Sequence, residues 1–180
     1  GRPRVSVVGY DIGLDHLGHS IEARATVTVR NDTPSPLDNY IFNLNPGLGI
    51  EGSDARHSVE RSLQVVNVRP EKPLAPGMTD SFEIAYAGEI EEEACYTDIL
   101  ESDRQKTVRL EHAGMVNIGK RYSFLSPRCV LLTPESGWYP TSGPGHAPSR
   151  PEAGRRDLSR YTLEVRTGTG LTAVSPGEAL

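Results

Sequence analysis

Five histidines, two cysteines and 24 acidic residues are the groups in this 180-residue chain that could bind a metal, act as a nucleophile or move a proton. The histidines are His16, His19, His57, His112 and His146, and four of them fall in stretches that read as turns or loops. None sits in an HExxH helix and no CxxC occurs, so neither common zinc signature is present. His16 and His19 share an x₂ spacing, which a solvated hairpin turn accounts for better than a metal site. Nucleophilic catalysis lacks its frame as well. There is no GxSxG elbow, and neither Cys95 nor Cys129 has a histidine at an activating spacing. Gly168-Thr169-Gly170 lies between strand-like runs with no helix N-terminus to receive a phosphate, so a turn explains it. The acidic run Glu89 to Glu93 lacks the alternating Asp/Asn/Gly loop of a calcium hand and reads as a solvated charged face. No catalytic set, metal site or cofactor is expected within the chain, and by itself it should hydrolyse nothing.

What remains is recognition. From Gly119 to Pro127 and on from Val130 to Pro140, a lone acid (Glu135), the single tryptophan (Trp138) and two tyrosines (Tyr122 and Tyr139) share one loop-rich stretch. Aromatics and a carboxylate carried on loops make a recognition lip, with Glu135, Trp138 and Tyr139 as its contacts. The same aromatics would also serve to close one end of a core.

The elements that must position this stretch are strands. From Ser20 to Arg30, Ile21, Ala23, Ala25, Val27 and Val29 alternate with polar residues, the period-two mark of a half-buried strand. Val8, Tyr10, Ile12 and Leu14 alternate before it, and Asp15 to His19 supply the turn of a long antiparallel hairpin. Tyr40, Phe42 and Leu44 follow at strand spacing after a Pro34/Pro36 turn cluster, and Asn45-Pro46-Gly47 ends that run. Leu63 to Val68, then Phe82, Ile84 and Tyr86 after a Pro76-Gly77 type II turn, continue the pattern. Tyr161, Leu163 and Val165 form a late strand, and Leu171 to Val174 reads as another. Between residues 88 and 155 the alternation fails. Glu89 to Ala94 favours the start of a short helix by propensity. Residues 141–154, rich in Gly and Pro, read as a long flexible surface loop. The expected fold is all-β, an antiparallel two-sheet sandwich or saddle with a long loop-rich insertion, built by residues 1–180 as one domain.

Charge excludes some partners. With 19 Lys+Arg against 24 Asp+Glu, a net −5, the chain offers no basic face to nucleic acid or an anionic membrane. No apolar run reaches the roughly 18 to 20 residues that cross a bilayer, so the segment reads as soluble and not itself inserted. Two cysteines allow one intramolecular bridge, and a disulfide and two buried thiols are equally compatible with that count. The Pro176-Gly177-Glu178-Ala179-Leu180 ending reads as a turn cut from something longer.

In the order Val29-Arg30-Asn31, Leu44-Asn45-Pro46-Gly47-Leu48, Leu74-Ala75-Pro76-Gly77, Ile84-Ala85-Tyr86-Ala87-Gly88, Asn117 to Tyr122, Leu131 to Glu135, Trp138-Tyr139-Pro140 and the closing strands, the chain resembles the N-terminal β domain of the aminopeptidase N type zinc metallopeptidases. It looks closest to the variety fused to bacterial ABC-transporter permease segments. The resemblance implies a saddle-like β structure packed on a separate, downstream catalytic domain that supplies the zinc, general base and transition-state donors. It also implies that a loop acid here helps bind the free α-amino group of a peptide N-terminus, a role that falls on Glu135. An extracytoplasmic position in a bacterial membrane protein follows from the resemblance alone. The segment after Glu135 departs from the family pattern, as do Thr133 and Pro134. The competing expectation is a self-contained β-sandwich binding or interaction module using the loops at Trp138 and Tyr139.

Overall fold

The computed structural model describes residues 5–96, 107–110, 114–117, 123–143, 157–168 and 170–178. Strands β1 (Ser6–His16), β2 (Ile21–Arg30), β4 (Leu48–Ser53), β7 (Thr79–Gly88) and β13 (Arg160–Arg166) form a five-stranded sheet in the order β13-β1-β2-β7-β4. Strands β3 (Tyr40–Asn43), β5 (His57–Ser62), β6 (Val65–Pro70) and β12 (Thr141–Ser142) form a four-stranded sheet in the order β12-β3-β6-β5. Two hairpins, β8 (Thr107–Leu110) with β9 (Gly114–Asn117) and β10 (Ser123–Leu125) with β11 (Val130–Leu132), complete the all-β architecture. All pairings are antiparallel except β13 on β1.

Register explains the core. Ile12, Ala25 and Ile84 stand side by side across β1, β2 and β7, and Leu14, Ala23 and Tyr86 make the next row. All six are buried. In the adjoining row, where Phe82 stands beside Val27, the two sheets meet through rings: Phe82 on β7 lies 5.2 Å from Phe42 and 6.4 Å from Tyr40 on β3. Each large side chain buried this way contributes about 1.5–3 kcal/mol by removal from water. The opposite face of the five-stranded sheet carries Glu22, Arg24, Glu83 and Glu164 into solvent.

Several sequence expectations need correction. On β1 it is Val7, not Val8, that is buried, because a bulge between Val7 and Gly9 turns both Val7 and Tyr10 inward. Residues 48–62, with little apolar alternation, form β4 and β5. The acidic run yields a single 3₁₀ segment, Glu92–Tyr96, rather than an α-helix. Leu171 to Val174 is not a strand; Val174 is 93% exposed. Thr141–Ser142 is a short strand on β3 rather than loop, and residues 144–154 of the expected loop lie outside the described residues. Cys95 is buried, Cys129 is exposed, and the two are not joined. Among the described residues no helix is long and apolar enough to cross a membrane.

Candidate functional site

Glu135 sits on a 3₁₀ turn, Pro134–Ser136, directly after β11. Proline at the start of the turn needs no donor, and Ser136 closes it by donating its N–H (3.0 Å) and hydroxyl (2.7 Å) to the Thr133 carbonyl. Gly137 ends it in the left-handed region (φ 62°), donating to the Pro134 carbonyl at 3.1 Å. A side chain there would also press on the Asn45 backbone nitrogen, which a Cβ would meet at 3.1 Å. Glycine is therefore required twice over.

The turn is bolted to the sandwich by Asn45, whose side chain is buried just past β3. Its amide donates to the Ser136 carbonyl (2.9 Å) and the Glu91 carbonyl (3.1 Å), while its side-chain oxygen accepts from Gly47 N (2.9 Å) and Glu91 N (2.8 Å). The Asn45 backbone N–H adds a bond to the Gly137 carbonyl at 2.8 Å. One residue thus ties the 45–47, 89–91 and 134–137 segments together. Arg61 braces the same corner from β5, donating to the carbonyls of Asn45 (2.5 Å), Leu48 and Leu63 (2.6 Å). Burial lowers the guanidinium's pKa below its ordinary value.

Downstream, Trp138 is 7% exposed and belongs to the core, with its ring edge-on to Tyr139 at 4.7 Å. Tyr139 is half-buried and lies 5.3 Å from Tyr10 and 5.5 Å from Tyr161. Tyr10 donates its hydroxyl to the Pro140 carbonyl at 2.8 Å, and Thr141–Ser142 then joins β3. Burial, reinforced by the hydrogen bond with Tyr139, pushes the Tyr161 phenol well above its ordinary pKa. Of the three expected contact residues, Glu135 and Tyr139 are partly exposed and Trp138 is buried. What this arrangement offers chemically is a half-exposed carboxylate on a turn held by Asn45, with the aromatic pair Trp138 and Tyr139 following it in the chain.

A second polar cluster was invisible in the sequence. His57 is buried between two carboxylates: Nδ1 lies 2.9 Å from Asp54 and Nε2 lies 2.8 Å from Asp80, which also accepts from the Tyr40 hydroxyl at 2.9 Å. This links β5 and β3 of one sheet to β7 of the other. Burial alone would raise the Asp54 and Asp80 pKa values, but the hydrogen bonds from His57, joined by Tyr40 and backbone N–H groups, outweigh it and hold both below the usual carboxylate range. Of the other histidines, His16 is buried with Nε2 2.8 Å from the Gly18 carbonyl, His19 is exposed, and His112 and His146 lie outside the described residues. Among the described residues no three His, Cys, Asp or Glu side chains converge to hold a metal ion. A depression of about 400 Å³ lies on the outer face of the five-stranded sheet, among Gly13, Glu22, Arg24, Glu51, Ala85 and Glu164, and Glu135 is not part of it.

No protein-family model matches the chain, and a comparison with curated proteins returns no match. Among solved structures, the chain is similar to a two-domain M1 zinc metallopeptidase variant bound to L-tryptophan, with 21% identity, a TM-score of 0.56 and coverage of 92% of this chain and 33% of that one. It is similar in the same way to an M1 zinc metallopeptidase variant from Deinococcus radiodurans bound to a Tyr-Ser-Ala substrate, with 20% identity, a TM-score of 0.56 and the same coverage. The likeness shows the fold, and the chain spans about a third of the length of these solved chains.

Proposed function

We propose that the chain is a non-catalytic β domain of a larger zinc-peptidase-like protein, acting as scaffold and as one wall of a peptide cleft, with Glu135 receiving the substrate's α-ammonium group. The observation that carries this reading is the mounting of Glu135, a half-exposed carboxylate on a turn held by a buried asparagine and a left-handed glycine. A rigid anion beside a hydrolytic centre selects an N-terminus over an internal peptide bond, because only the former carries a positive charge there. Tyr139 supplies the adjoining wall, with the buried Trp138 edge-on to it. Fold likeness over nearly the whole chain supports the domain assignment. So does the exposed apolar surface of Val130 and Leu131, which run into the Glu135 turn, and of Leu17; such surface suits a domain made to pack against the rest of its polypeptide. The remainder of that polypeptide would hold the zinc and the catalytic groups. The same reading takes the parent to be a permease-linked bacterial membrane protein with this domain outside the cytoplasm, on the strength of the sequence resemblance.

The test is Glu135→Gln in the full-length protein, assayed on a dipeptide with a free amino group and on its N-acetylated counterpart. Loss of a charge-assisted hydrogen bond of about 1.5–3 kcal/mol lowers kcat/KM for the free amine by roughly tenfold to hundredfold and leaves the acetylated substrate unchanged. Equal losses on both substrates, or none on either, would defeat the reading.

A further inference from the structure

Strand β13 ends the five-stranded sheet. Among the described residues it pairs with β1 alone, and none of them forms a strand along its other backbone edge over seven residues. An unpaired edge of this kind is a template for another strand. The core face also runs out from under the facing sheet here. Tyr161 is 43% exposed, and Leu163 and Val165 are half-buried, whereas their row neighbours Ile12 and Leu14 are 0% and 6% exposed. Both an open ladder and uncovered apolar side chains are present at one place. The sheet's other edge, β4, is a poor template, because Gly49 and Gly52 flank a bulge between Ile50 and Gly52.

We propose that this edge pairs antiparallel with β13 of a second copy, about a two-fold axis at Thr162. Charge picks the register. Arg160, Thr162, Glu164 and Arg166 share the outer face, and Tyr161, Leu163 and Val165 the inner one. Keeping apolar face beside apolar face allows three registers that overlap five or more strand residues. Centring on Leu163 sets Arg160 against Arg166 of the second copy, twice. Centring on Glu164 sets the two Glu164 side chains against each other. Centring on Thr162 sets Arg160 against Glu164 and Tyr161 against Leu163, each twice by symmetry. Opposite charges directly across an antiparallel pair stabilise it and like charges oppose it, so the Thr162 register is selected. Glu164 meets its own Arg166 through Oε1, at 2.9 Å, which leaves Oε2 for the incoming guanidinium.

Analytical ultracentrifugation of the 180-residue chain across a concentration series tests this, with far-UV circular dichroism confirming that each variant folds. The expected result is a monomer–dimer equilibrium whose Kd rises about tenfold in Arg160→Glu and about tenfold in Glu164→Arg, and returns toward wild type in the double reversal R160E/E164R. Thr162→Pro, which blocks the edge without altering charge, also weakens the dimer. A chain that is monomeric throughout, a dimer indifferent to both single reversals, or a double reversal that fails to restore pairing would each overturn the proposal.

Discussion

Replacing Asn45 with alanine removes four hydrogen bonds to backbone groups and a long contact to the Cys95 Sγ at 3.9 Å, and their surroundings set the cost. The bond to the Ser136 carbonyl is buried, so that carbonyl is left with only the long, weak Cys95 thiol donor at 4.0 Å, a penalty of about 1–3 kcal/mol. The other three, to Gly47 N, Glu91 N and the Glu91 carbonyl, are partly buried, and each is worth about 0.5–1.5 kcal/mol. Together Asn45→Ala should cost about 2.5–7.5 kcal/mol, a large share of the 5–15 kcal/mol that holds an ordinary domain. The backbone bonds from Asn45 N to the Gly137 carbonyl and from Arg61 to the Asn45 carbonyl survive the substitution, so the loss isolates the side chain. Asn45→Asp keeps the two accepted bonds but turns a carboxylate oxygen toward two carbonyls, and should recover less than half of the loss. Urea unfolding followed by circular dichroism measures the total. Native-state hydrogen exchange at the Gly47 and Glu91 amides reports whether the loss begins at this corner. A cost under about 1 kcal/mol, or unchanged exchange at those two amides, would refute the view that Asn45 mounts the Glu135 turn.

Gly47→Ala should cost more than about 3 kcal/mol or abolish folding, because the new Cβ would lie 2.1 Å from the Glu89 carbonyl oxygen, which is backbone and must shift; the soluble yield and urea midpoint decide it. Tyr86→Phe should leave stability unchanged or raise it by up to about 1 kcal/mol, since the Tyr86 hydroxyl is buried with no hydrogen-bond partner among the described residues; a loss above 1 kcal/mol in thermal melts would show that the hydroxyl is satisfied in solution. Asp80 has its folded pKa depressed, so its contribution is full above the unfolded value near 3.9 and is lost as pH falls through the folded value. The stability deficit of Asp80→Asn relative to wild type should therefore be largest at neutral pH and shrink below about pH 4; a deficit that stays constant down to pH 2.5 would contradict the assigned cause.

Strands β2 and β7 were legible because one face of each is buried by a single sheet and the alternation is unbroken from Ile21 to Val29 and from Phe82 to Tyr86. On β1 the same reading slipped by one residue, since a bulge leaves no trace in a hydrophobic pattern. Strands β4 and β5 carry Gly49, Glu51, Gly52, Ser58 and Glu60 and have few apolar residues of their own; they are strands because β7 and β6 offer them ladders. Leu171 to Val174 fails in the opposite way, with strand-like composition and no neighbouring strand to pair among the described residues. The Glu135 to Tyr139 stretch stood out through its composition, and Glu135 through the family resemblance as well. What holds it did not, because Asn45 meets Ser136 across 91 positions and Glu91 across 46, and His57 meets Asp80 across 23. Hydrogen bonds of that span have no local spacing to read.

On the proposed function, Glu135 faces a peptide's amino terminus in the parent protein. A crystal structure of the full-length protein with a bound peptide measures it directly. A Glu135 carboxylate oxygen is expected at about 2.7–3.2 Å from the peptide's α-amino nitrogen, with the Asn45 bonds to Ser136 and Glu91 intact. A bound peptide whose amino terminus is held elsewhere, with the Glu135 carboxylate turned to solvent, would contradict it.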